Sequence, residues 1–129
     1  MKYGKVVATT LPFEQSIERV RELLREEGFG VLCDIDVAKT LHEKIHAEFR
    51  PYRILGACNP HFAHRALEEE PHLGLLLPCN VVVQELGGLT IVSAIDARAL
   101  LGVIGSPELA DLAEDVNARL ERVLDRLAA

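Results

Sequence analysis

The apolar positions of this chain change period along its length, and each change marks an element. From Lys2 to Thr10 the run is short and β-branched at Val6 and Val7, which predicts a strand ending before Pro12. Phe13, Ile17, Val20 and Leu24 then recur at helical spacing with Leu23 beside them, while Glu14, Glu18, Arg21, Glu22 and Arg25 fall on other faces. Gly28 is the natural stop, because glycine takes the left-handed conformation without penalty. Phe29 to Ile35 reads as a second strand, with Cys33 assigned to the core. Asp36 caps a helix expected over Val37–Phe49, in which Leu41, Ile45 and Phe49 form the core stripe and Pro51 enforces the end.

Tyr52 to Cys58 is a third strand. Asn59 as N-cap and Pro60 as first helical residue open a helix reaching about Glu70, with Ala63, Ala66 and Leu67 inward. Leu75 to Cys79 feeds a hairpin turning at Gly87-Gly88, a pair suited to positive φ, which sets Leu86 opposite Leu89, Val83 opposite Val92 and Cys79 near Asp96. Asp96 to Gly105 reads equally as a short helix or an irregular connection. Ser106 caps a last helix whose face of Leu109, Leu112, Val116, Leu120, Val123 and Leu127 spans about 30 Å at ~1.5 Å per residue.

The order is β-α-β-α-β-α-β-β-α. It predicts a single compact α+β domain over residues 1–129, with one sheet, an antiparallel hairpin and helices mainly on one face. The hairpin strands are apolar on both sides, Val82 and Leu86 on one and Val81 and Val83 on the other. Helices cover one side, and a second copy of the chain is expected on the other as a homodimer.

Composition narrows the partners. The 129 residues suffice for one domain with its own core. The net charge of -6 and the lack of a basic block argue against nucleic acid. No apolar run approaches the ~20 residues of a membrane span, so no membrane partner is expected. Met1-Lys2-Tyr3-Gly4-Lys5 carries no signal-peptide core, which predicts a cytoplasmic protein. Three widely spaced cysteines fit reduced thiols better than a disulfide framework. One Met, two Gln and three Asn beside abundant Arg, Glu and Leu follow a thermophile trend.

The candidate chemistry gathers where Cys-Asn pairs flank the third helix. Cys58 stands where a strand meets a helix N-terminus, whose N–H groups and dipole stabilise a thiolate. A small residue at a tight joint accounts for it as well. Cys79 follows Pro78 at a strand start and is expected at the same sheet edge. His61 and His64 lie on one face of the first turns after Cys58. The candidate ligand-binding set is Cys58, Asn59, His61, Cys79 and Asn80, for a small molecule or a soft metal. No Cys-x-x-Cys spacing supports a metal strongly, and the asparagines also serve as caps or turn formers. His42 and His46 have i, i+4 spacing without the His-Glu-x-x-His order. No cofactor is named by any motif.

Tyr52-Arg53-Ile54-Leu55-Gly56-Ala57-Cys58-Asn59-Pro60 and Leu76-Leu77-Pro78-Cys79-Asn80, with the first helix, its Gly28-Phe29 end and Asp34-Ile35-Asp36, resemble the domain of unknown function 302 family over nearly the whole chain. The resemblance implies a compact α+β fold of bacterial and archaeal proteins and carries over neither an activity nor a catalytic residue. Three readings follow. The first is a small-ligand or soft-metal-binding domain centred on the two Cys-Asn motifs. The second is a thiol enzyme using Cys58 with His61 or His64 as base. The third is an interaction module in which the motifs only build turns.

Overall fold

The computed structural model of the chain describes residues 1–128. Its elements run β1 (Gly4–Thr9), α1 (Phe13–Glu26), β2 (Gly30–Asp36), α2 (Val37–Ile45), β3 (Tyr52–Cys58), α3 (Pro60–Glu69), a 3₁₀ turn (Leu73–Leu76), β4 (Cys79–Leu86), β5 (Leu89–Ile95), α4 (Ala97–Leu101) and α5 (Pro107–Leu127). The expected α+β order holds, and the segment after Asp96 resolves into the short α4. The five strands form one antiparallel sheet in the order β1-β5-β4-β3-β2. The hairpin register is the expected one, with Leu86 opposite Leu89 and Val83 opposite Val92, and its ladder ends at Val81 and Ala94.

Alternation along the strands sends Val7, Leu55, Ala57, Val81, Val83, Val92 and Ala94 to one face, where α1, α3 and α5 cover them. The stripe of α1 is buried at Ile17, Val20, Leu23 and Leu24, and all six stripe positions of α5 are buried too. Ion pairs tie α5 back to the first third of the chain. Arg122 grips Glu27, Arg126 meets Glu26 and Lys5 meets Glu121. The Arg122 hydrogen bond holds the Glu27 carboxyl below its usual pKa, against a smaller opposing effect of burial.

Three expectations fail. Helix α2 stops at Ile45, where His46 takes a left-handed C-cap, and none of its residues is buried. Of the expected stripe Leu41 is half-buried, Ile45 is 66% exposed, and Phe49, beyond the helix, is exposed as well. Cys33 is exposed rather than core, because a β-bulge between Val31 and Cys33 moves it to the uncovered face. Leu67 is exposed, whereas Ala66 of the same helix is buried. The helix-facing charges are paired: Asp34 accepts two hydrogen bonds from Arg53, at 2.7 and 2.6 Å, and one from Arg21 at 2.6 Å. The Arg53 bonds dominate and hold the Asp34 carboxyl below its usual range despite partial burial.

Candidate functional site

The chain turns sharply from β3 into α3, and the residues of that joint divide the work. Asn59 is buried and caps the helix; its Oδ1 accepts from the backbone N–H of His61 at 3.1 Å and of Phe62 at 3.4 Å. Pro60, first in the helix, has no N–H to satisfy. The donors a thiolate at Cys58 would need are thus already engaged by the Asn59 amide. Burial in apolar surroundings raises the Cys58 thiol above its ordinary pKa. Cys79 lies opposite Ala57 on the neighbouring strand. Burial, with a smaller electrostatic contribution from Cys58, pushes its pKa up to about 11. Both thiols are therefore protonated at neutral pH, opposite to the activation that the helix terminus suggested for Cys58.

Both thiols face a cavity of about 330 Å³ at this end of the sheet, between the sheet and the helices. Phe29 and Ala57 supply its sheet-side wall, Phe62, Ala63 and Ala66 come from α3, and Leu112 and Val116 from α5. Leu73, Leu77 and Pro78 close it from the connection between α3 and β4, and Ala97 and Leu101 from α4. Exposed Leu32 and Leu67 stand at its edge. Besides backbone, the polar atoms in this wall belong to Cys58, Asn59 and Cys79. An uncharged and mainly apolar molecule matches such a wall, because a buried ion would find no partner there.

Of the five residues expected at the site, the fold brings Cys58, Asn59 and Cys79 to one cavity. His61 is exposed on α3 and Asn80, opposite Gly56, lies on the uncovered face of the sheet; neither lines the cavity. His64 points to Glu68 at 3.1 Å on the helix surface, and the His42 and His46 rings lie 6.4 Å apart, edge to face, at the end of α2. Among the described residues, no three His, Cys, Asp or Glu side chains converge as metal ligands would.

Sequence reasoning missed the polar clip that holds the α4 wall in place. Asn117, buried on α5, accepts from the Ala97 N–H at 2.7 Å and donates to Asp96 Oδ1 at 2.8 Å. Asp96 also caps α4 through the Arg98 N–H. Burial opposes the Asp96 carboxylate, but the Asn117 amide and the backbone donors outweigh it and lower its pKa. An asparagine on the apolar face of an otherwise Leu- and Val-rich helix was the available signal.

No helix among the described residues is long and apolar enough to cross a membrane. No curated protein sequence matches the chain. A solved structure similar to it is the crystal structure of an uncharacterized conserved protein DUF302 from Bacillus stearothermophilus. The two share 36% identity with a TM-score of 0.91 over 98% of this chain and 99% of that one. The family model described as domain of unknown function DUF302 matches residues 5–127, and the chain belongs to that family.

Proposed function

We propose that the protein binds a small, uncharged, mostly apolar molecule in the cavity at the end of β3, with Cys58, Asn59 and Cys79 meeting its polar end. The observation that carries this reading is the cavity itself, about 330 Å³ with an almost wholly apolar wall. A cavity of about 150 Å³ accommodates benzene, so this one suits a ligand of roughly ten to thirteen heavy atoms. The protonated thiols support binding over nucleophilic catalysis, since the thiolate is the reactive form. Three unpaired cysteines support a reducing, cytoplasmic setting.

The test is titration with the neutral fluorophore 1-aminonaphthalene, which falls within that size, followed by competition with uncharged alcohols of six to twelve carbons, a span set by the roughly ten-atom ligand above. Saturable binding displaced by the alcohols is expected. Ala63→Phe, which fills the space from α3, should abolish the signal while the thermal midpoint is held. A wild-type protein that neither brightens the probe nor takes up the alcohols overturns the reading.

A further inference from the structure

The uncovered face of the sheet has an unusual composition. Following the register across it, one row reads Val6, Ser93, Val82, Ile54 and Ile35, and the next reads Ala8, Ile91, Gln84 and Tyr52. No strand residue on this face carries a charge. The charged strand residues, Lys5, Asp34, Asp36, Arg53 and Glu85, all fall on the opposite alternation. Val6 is 50% and Ile35 44% exposed, and Ile54, Val82 and Ile91 are only half-buried. An antiparallel sheet with one solvated face ordinarily places polar side chains there.

Beside this face lies a second unsatisfied surface. Helix α2 contacts β2 and β3 instead of joining the core helices, and buries nothing completely. Its Val37, Leu41 and Ile45 recur at i, i+4 and i+8, a stripe for which its own chain offers no full cover. The segment after it is pinned at the start of β3, where Arg50 donates to Gln84 at 2.9 Å and stacks over Phe49 and Tyr52.

We infer that two copies of the chain meet through this face, sheet against sheet about a two-fold axis, with α2 of each copy flanking the other's sheet. Three observations favour a second copy over an unlike partner. First, a bare sheet face and an unburied apolar helix stripe occur side by side on one chain, so a two-fold pair can satisfy both at once. Second, a chain of net charge -6 repels its own copies, which approach most closely where charge is sparse. No strand residue of the open face is charged, and Arg50 reaches only one edge of it, over Tyr52 and Gln84, so little charge is there to select and orient an unlike partner. Third, the size suffices. Five strands about 4.8 Å apart and about 20 Å long present roughly 450 Å² per copy. Two copies give about 900 Å² before the α2 stripes are added, which brings the total to the ~1,000 Å² that a specific interface needs.

Sedimentation equilibrium at micromolar concentration tests this on the full chain. The wild type is expected at twice the 14.2 kDa chain mass. Ser93→Arg places a charge at the centre of the row without removing an apolar contact from the monomer, and it should weaken association at least tenfold. Ile45→Glu on the exposed helix should weaken it severalfold, and this variant stays informative if Ser93→Arg fails to fold. Gln15→Ala, exposed on α1 across the sheet from this face and neutral in charge, should leave association unchanged. A wild type that sediments as a single chain overturns the inference. So does a dimer that tolerates both Ser93→Arg and Ile45→Glu, since it would be built on another surface. Loss of the dimer with the cavity probe still bound separates this interface from the binding reading.

Discussion

The two faces of the sheet are made from alternate residues of the same five strands, yet they live under different rules. On the helix side Leu55 and Val83 are fully buried, and Asp34 and Arg53, which share that alternation, are locked to each other and to Arg21. One residue away, Ile54 and Val82 sit half-exposed among neighbours without charge. The covered face keeps the charges at its margin, and the strand residues of the uncovered face carry none. That distribution inverts the one expected if water were the permanent neighbour of the second face.

The sharpest way to break this comparison is to truncate one residue on each face of β3. Leu55→Ala removes a side chain with no exposed surface and should cost about 3 kcal/mol. Ile54→Thr should cost under about 1 kcal/mol. Urea unfolding at submicromolar concentration, where association contributes least, measures both. Equal costs would mean that the open face is as closed as the core.

The paired charge on the covered side gives the next effect. Asp34→Asn leaves Arg53 and Arg21 half-buried without their carboxylate and should cost roughly 2 kcal/mol near pH 6. The Asp34 pKa is lowered in the folded state. Its contribution is therefore present above the unfolded carboxyl value of about 3.9 and lost as pH falls through the lower folded value. Melting curves of wild type and Asp34→Asn should begin to converge below about pH 4, meet only once the pH is under the lower folded value, and stay separate above. A gap that stays constant with pH would remove the ion pair from the account.

The smallest contrast is between the two asparagines. Asn59→Ala loses the cap of α3 and should cost about 1 kcal/mol. Asn80→Ala, exposed on the open side, should stay within about 0.5 kcal/mol. Thermal melts of the two variants decide it, and comparable losses would mean that the two Cys-Asn motifs do the same structural work.

What the sequence disclosed follows from what periodicity records. The stripes of α1 and α5, the Gly87-Gly88 hairpin and the Asn59-Pro60 helix start are local patterns, and each appears in the fold as read. Periodicity marks which side of an element is apolar, but it does not say what lies against that side. Leu41, Ile45 and Phe49 read as a sound stripe, yet α2 ends at Ile45, Leu41 is only half-buried and Ile45 and Phe49 lie exposed. Cys33 failed for a different reason: Val31, Cys33 and Ile35 alternate perfectly as written, and one bulged residue reverses the phase between the first two. At the site, Cys58 and Cys79 were legible as companions because Cys-Asn recurs at both ends of one segment. The cavity was not, since its wall draws on residues as distant as Phe29 and Val116, and only the folded chain sets them side by side.

The strand order has a consequence for how the molecule is made. β1 is the earliest of the five strands in the chain, and its neighbour in the sheet is β5, Leu89–Ile95. α5, which packs on β1 and carries the arginines gripping Glu26 and Glu27, comes later still. A ribosome must therefore release most of the chain before its opening strand can find a place. During that interval β2, β3 and β4 can pair as they emerge, while Val6 and Val7 wait unpaired. The sheet can grow from β2 through β5 in chain order, and β1, at the far edge, is the last seam to be sewn.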